Sequence, residues 1–155
     1  MKLLLHKIIA TGFGAGFCPV APGTAGSLLA VAIWYVLSLF FPFDTLLLIT
    51  GVLILVFTAV GIWSASAVVP IWGEDPKKVV VDEMVGMWIT LLGVVEGNLW
   101  YVLAAFILFR LFDIYKPAGI RKAEQLPSGF GIMFDDVFAG LYGLFILLLA
   151  RVFGL

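Results

Sequence analysis

Charge is what this sequence has least of. Only 12% of its 155 residues are Asp, Glu, Lys or Arg, whereas 63% are hydrophobic and the mean hydropathy is +1.18. A water-soluble domain carries about a quarter charged and about half apolar residues. This chain cannot clothe itself in a hydrated surface, and lipid is its expected solvent. A basic surplus is lacking too: nine Lys and Arg stand against ten Asp and Glu. That excludes nucleic acid as a partner, because binding a phosphate backbone needs excess positive charge. The single cysteine, Cys18, excludes an intramolecular disulfide. No small-residue cleavage site follows the basic start Met1-Lys2-Leu3-Leu4-Leu5-His6-Lys7, so no signal peptide is expected. With no internal repeat and no long polar linker, one membrane-embedded domain over residues 1–155 is expected.

What is abundant is apolar sequence broken by punctuation. Residues 8–26 hold Gly12, Gly14, Gly16, Pro19, Pro22, Gly23 and Gly26, a density that predicts an irregular or re-entrant segment. Five apolar segments follow: Ser27 to Phe41, Thr45 to Val69, Asp82 to Val95, Leu99 to Phe112, and Phe134 to Phe153. Pro42 stops the first, Pro70 and Gly73 end the second, and Glu96-Gly97-Asn98 turns the third into the fourth. The third and fourth fall short of the ~17 residues of a comfortable span. The expected fold is all-α, an integral membrane bundle of about five short helices, with the short pair forming a hairpin.

Five crossings with a cytoplasmic N-terminus put Lys2, Lys7, Lys77, Lys78, Lys116, Arg121 and Lys122 on the cytoplasmic side, with Arg110 one turn inside it. The opposite loops hold Asp44 and Glu96 and no Lys or Arg, and only Arg151 departs from the positive-inside pattern. The same threading brings Asp82, Glu83, Asp113, Asp135 and Asp136 to one depth on that face. A carboxylate in hydrocarbon costs ~2.5–3.5 kcal/mol even on the gentler scale, so such a gathering calls for a ligand or partner. Carboxylates hold Mg²⁺, a hard cation that wants oxygen donors, and neighbouring Arg110, Lys116, Arg121 and Lys122 suit phosphate. Metal, carboxylates and cations at a membrane surface describe a site that clamps and hydrolyses a phosphate ester of a lipid head group.

Other readings use the same residues. Acids in a first helical turn also serve its free N–H groups and dipole, which would cover Asp82-Glu83 and Asp135-Asp136 but not Asp113 at a helix C-terminus. Arg110 and Lys116 lie three residues either side of Asp113 and could pair with it. A cation transporter or a structural subunit are the non-enzymatic alternatives. Among phosphatases, residue types narrow the field. A thiolate enzyme needs Arg six residues after its Cys, and Cys18 is followed there by Thr24. His6 is the only histidine, which excludes a two-histidine lipid phosphatase and leaves a Ser–His–Asp triad without a placed base. No Asp-x-Asp opening of an aspartyl-phosphate enzyme occurs.

Three blocks in order resemble the phosphatidylglycerophosphatase A family. They are Gly12-Phe13-Gly14-Ala15-Gly16 with Pro19 and residues 22–28; residues 81–89, beginning Val81-Asp82-Glu83-Met84; and residues 109–117, followed by Gly131-Ile132-Met133-Phe134-Asp135-Asp136 and Ala139-Gly140. The resemblance implies a magnesium-dependent enzyme of the bacterial inner (cytoplasmic) membrane, multi-pass, with its site facing the cytoplasm. It would convert phosphatidylglycerophosphate to phosphatidylglycerol. The family's acids fall on Asp82, Glu83, Asp113, Asp135 and Asp136, with Lys116 and Thr24 as matched polar positions. On this reading Asp82, Glu83, Asp135 and Asp136 hold one or two Mg²⁺ ions. Asp113 completes the shell or acts as general base, and Arg110 and Lys116 steady the phosphoryl oxygens. Thr24 donates to phosphate or, in competition with Ser27, caps the first span. Two stretches depart from the family pattern: Ala118-Gly119 stands where Trp-Pro is expected, and Leu126-Pro127-Ser128-Gly129-Phe130 replaces a His-Gly-Gly run.

The threading predicts that, in a Cys18→Ser background, cysteines placed at Lys78 and Lys122 react with a membrane-impermeant thiol reagent from the same side. Labelling from opposite sides would break the shared site.

Overall fold

The computed structural model describes residues 1–73 and 76–155. Among them the chain is all-helical: α1 (Lys2–Ala10), a 3₁₀ turn (Ala15–Phe17), α2 (Pro22–Ser38), α3 (Phe43–Trp72), α4 (Val81–Leu91), α5 (Leu99–Tyr115), α6 (Ala118–Glu124) and α7 (Gly129–Val152). Two of them, α3 and α7, are long and apolar enough to cross a membrane. Leu48, Val52, Leu55 and Val56 of α3 and Leu141, Phe145, Ile146 and Leu149 of α7 point outward. An exposed apolar face of that extent suits lipid and not water.

Several boundaries differ from the sequence expectation, each for a local reason. The irregular segment is confined to 11–21, because residues before it wind into α1 and Pro22 opens α2 five residues ahead of Ser27. Proline suits that position, where its missing N–H has no helical partner to lose. Pro70 does not end α3. It sits in the last turn, where it forfeits one hydrogen bond, and the helix runs on to Trp72 before Gly73 turns at φ 97°. The short helices α1 and α6 were not foreseen. The largest correction concerns α7, which begins at Gly129 and not Phe134. Gly129 packs against the Ile62 carbonyl and Ser66 of α3, and its N–H donates to Ser66 Oγ at 3.2 Å. A side chain at 129 would block that approach.

α2, α3, α4, α5 and α7 alternate in direction, so one end of the molecule gathers the starts of α2, α4 and α7 and the finish of α5. α4 is the central element. At 11 residues it is about 16 Å long, and every residue except Glu83 is buried. Trp88 donates its indole N–H to the Ala30 carbonyl of α2 at 3.0 Å and meets Phe57 of α3 edge-on. Toward α7 the backbones nearly touch: a Cβ on Gly86 would collide with the Asp136 carbonyl and Phe109, and one on Gly140 with the Gly86 carbonyl. The Thr90 hydroxyl lies 3.1 Å from both the Gly86 and Gly140 carbonyls.

Adding one methyl at this crossing forces backbone apart, and overpacking of that kind typically costs about 1–3 kcal/mol. Gly140→Ala is expected to lower the melting temperature in detergent by several degrees. Gly51→Ala on α3, where a Cβ meets nothing within 4 Å, is the control and should melt at or above wild type because alanine favours helix. Equal melting of the two variants would dissolve the close-approach argument.

Candidate active site

α4 begins without a side-chain cap. Its N-cap is Val80, whose N–H is tied to the Ala10 carbonyl at 2.9 Å. Asp82 and Glu83 are therefore in the first turn without either being the helix cap. Asp135 and Asp136 lie two turns into α7, which has no acid in its first turn. Helix-end electrostatics accordingly does not account for the second pair.

Asp82, Glu83 and Asp136 each bring one carboxylate oxygen within 4.8 Å of the others. Asp82 Oδ1, Glu83 Oε2 and Asp136 Oδ1 are buried and have no hydrogen-bond partner among the described residues. Three converging carboxylates, each with a buried oxygen left unpaired, are costly unless a cation sits among them. All are hard oxygen donors, and the set fits Mg²⁺ with waters completing the shell.

The trio lines a cleft of about 370 Å³ that also reaches Asp113, Asp135, Arg110 and Lys116. Arg110 Nη1 pairs with Asp113, three residues on, and Arg110 Nε is buried without a partner among the described residues. Lys116 donates to Asp135 Oδ2 at 2.7 Å and to Glu124 Oε1 at 3.0 Å. Burial alone would lower the pKa of this ammonium, but the hydrogen bonds and charges of Asp135 and then Glu124 outweigh it and hold the group above its ordinary value. Lys116 is thus a fixed cation and not a proton acceptor. An ammonium has three donors, so one N–H remains.

The sequence expectation thus meets the structure unevenly. Asp82, Glu83, Asp113, Asp135, Asp136, Arg110 and Lys116 share one cleft. Asp135 stands outside the close trio, because Lys116 takes one of its oxygens and the Asp136 N–H takes the other at 2.8 Å. Thr24 is the third residue of α2, half-buried, and the cleft wall there is Ala21, Pro22 and Gly23 instead. It is not the cap either, since Ala21 holds that position, and Ser27 Oγ donates back to the Gly23 carbonyl at 2.9 Å. Two participants were missed. Glu124 is the second partner of Lys116. Gly23 presses on the site so closely that a Cβ would collide with Glu83 Oε1 and sit 3.1 Å from Arg110 Nη1. The Pro22-Gly23 pair was a visible signal for the latter; nothing in the sequence marked Glu124.

The class these features define is a helical membrane protein with an acid-lined, cation-rimmed cleft of the kind that handles phosphate esters. Comparison with known proteins then fixes the family: the chain matches phosphatidylglycerophosphatase A over residues 8–151 and belongs to that family of phosphatases. It is 35% identical to phosphatidylglycerophosphatase A of Escherichia coli K12, over 86% of this chain and 76% of that protein. It is 39% identical to phosphatidylglycerophosphatase A of Haemophilus influenzae, over 90% and 84%. A Bacteroides thetaiotaomicron protein, provisionally named a phosphatidylinositol-3-phosphatase, is 54% identical over 95% of this chain and 94% of its own length. No solved structure matches the chain.

Gly23→Ala tests whether the acids must be held where they are. The methyl displaces the Glu83 carboxylate, and misplacing a catalytic group by about 1 Å costs on the order of 10²-fold in rate. Phosphate release should fall by that order while the melting temperature in detergent changes little. Wild-type turnover would free Glu83 from the site.

Proposed function

We propose that the chain is an Mg²⁺-dependent lipid phosphatase that removes the terminal phosphomonoester of phosphatidylglycerophosphate, giving phosphatidylglycerol. The observation that carries this reading is the trio Asp82, Glu83 and Asp136, whose carboxylates converge and each keep a buried oxygen without a partner among the described residues, in one cleft with Arg110 and Lys116. These acids are the residues that would hold the ion. When bound, Mg²⁺ supplies Lewis acidity toward the phosphoryl oxygens and toward an attacking water.

The chain's own residues do the rest. Arg110 and the remaining N–H of Lys116 bind the non-bridging phosphoryl oxygens and steady their charge in the transition state. Asp113 belongs neither to the trio nor to the Lys116 bridge, which leaves it as the acceptor of the water's proton. The water oxygen bonds to phosphorus, the phosphorus–oxygen bond to the lipid breaks, and the lipid oxygen takes the proton that Asp113 received from water and leaves as an alcohol. Inorganic phosphate is the second product.

Placement in the membrane follows the charge pattern. All five alternating helices cross, α4 reaching the far side through residues 92–98, and the cleft faces the cytoplasm of a bacterial inner membrane. Lys7 and Lys78 lie 5.7 Å from the Trp72 ring at the cleft end of α3, a pairing suited to the head-group zone. Cation transport is less well supported, because the acids sit at one end and, among the described residues, no carboxylate, lysine, arginine or histidine continues a path through the helices to Asp44 or Glu96. A second substrate reading, a phosphorylated phosphatidylinositol, is favoured by the 54% identity to the Bacteroides protein.

Phosphate release from both lipids in mixed micelles tests these readings. Activity should require Mg²⁺ and vanish with chelator. Asp82→Asn and Asp136→Asn should each lose most of it while remaining folded, and Lys116→Gln should lose on the order of 10²–10³-fold. Near-normal turnover in both Asn variants at saturating Mg²⁺ would remove the trio from the chemistry.

A further inference from the structure

The acid cleft does not end at Asp135. Beyond that residue lies a second cavity of about 460 Å³, enclosed by the 124–128 connection between α6 and α7 and by Val69 of α3. The two cavities share Asp135 and Ile132 as a common wall. Lys116 spans the partition, with one N–H on Asp135 and another on Glu124. The connection is seated and not loose: Gly131 of α7 lies so close to the Glu124 and Leu126 carbonyls that a Cβ there would collide with both.

We propose that this second cavity receives the polyol that separates the scissile phosphomonoester from the rest of the lipid, and that Gln125 and Ser128 select it by hydrogen-bonding its free hydroxyls, one on a bridging glycerol and several on an inositol ring. The inference rests on the reading of the acid cleft as the phosphomonoester site. A phosphoryl group at the acid trio, touched by the remaining N–H of Lys116, has its ester carbon only two bonds from phosphorus. The cavity that begins on the other side of Asp135 lies within reach of the atoms that follow. Its loop wall offers what hydroxyls need. Gln125 has an amide that donates and accepts, Ser128 has a hydroxyl that does both, and Glu124 keeps one carboxylate oxygen beyond the one bound to Lys116. Val69, Leu126, Pro127 and Ile132 would suit the carbon skeleton of an occupant, but an acyl chain would leave Gln125, Ser128 and Glu124 without partners, and a second phosphate would meet the charge of Glu124. A neutral polyol, glycerol-sized or ring-sized, is the chemistry that matches.

The test uses the full-length protein in mixed micelles with Mg²⁺ and three substrates: phosphatidylglycerophosphate, phosphatidylinositol 3-phosphate and phosphatidic acid. The last carries a terminal phosphomonoester and no polyol. The readout is the ratio of kcat/KM for the better polyol lipid to that for phosphatidic acid, in wild type, Gln125→Leu and Ser128→Ala. Loss of one hydrogen bond to a neutral partner is worth up to about tenfold. Each variant should lower the ratio by 3- to 10-fold, mainly through KM for the polyol lipid, as expected for binding made equally in ground and transition states. Gln125→Asn should recover part of it. Ratios equal to wild type in both variants would overturn the cavity assignment while leaving the acid cleft intact. A wild-type protein that releases phosphate from none of the three would overturn the cleft reading and this inference with it.

Discussion

The near-contact of α4 and α7 at Gly86 and Gly140 is the constraint on which the site depends. Gly86 faces the Asp136 carbonyl and Gly140 faces the Gly86 carbonyl, and the Thr90 hydroxyl lies against the carbonyls of Gly86 and Gly140. Without an apolar driving force between helices in lipid, small residues that let backbones approach are a principal source of association. The crossing also fixes register. Asp136 lies one turn before Gly140 and Asp82 one turn before Gly86, so bringing the glycines together brings those two carboxylates together. A larger residue at either glycine would part the helices and the acids at once.

Close approach solves packing and creates an electrostatic problem. Asp82, Asp135 and Asp136 are buried, and like charges at such separation repel strongly where water is scarce. The cleft divides the burden. Arg110 pairs with Asp113, and Lys116 bridges Asp135 and Glu124. What remains is Asp82, Glu83 and Asp136, none of which forms a salt bridge with a lysine or arginine among the described residues, although Arg110 lies beside Glu83. The imbalance is local, and it is the physical content of the metal proposal: protein cations are spent at the rim, and the deepest acids are left for a ligand.

Much of this was legible in the sequence because the signals were strong and local. Apolar runs separated by Pro and Gly marked five of the seven α-helices among the described residues, and threading those five up and down gathered acids from three segments at one end. The missed features have a common cause. Gly129 and Gly131 look like loop residues, and only contact with Ser66 and with the Glu124 and Leu126 carbonyls makes them helical. That start two turns ahead of Asp135 removes helix capping as the explanation for Asp135 and Asp136. Thr24 was singled out by residue type, yet it is the absent side chain of Gly23, one position earlier, that the cleft uses. Sequence reasoning weighs groups that are present and has little purchase on space that must stay empty.

Lys116 shows how much the fold concedes to keep a cation in place. It closes α5 in the left-handed region, at φ 43° and ψ 70°, where a residue with a Cβ is strained and glycine is the usual choice. Such strain costs about 1–3 kcal/mol and persists where surrounding structure holds it. Glycine here would relieve the backbone and delete the ammonium. The conformation has a use: it ends the helix sharply, Pro117 opens α6, and the lysine is left facing α7 instead of continuing along α5. From there it reaches Asp135 and Glu124 on two different elements, with one N–H still available. Arginine would not substitute, because a planar fork spends its donors in one plane, whereas an ammonium directs three tetrahedrally. The strained turn, the two carboxylates it serves and the unspent donor form one device, and that device stands on the wall between the acid cleft and the cavity beside it.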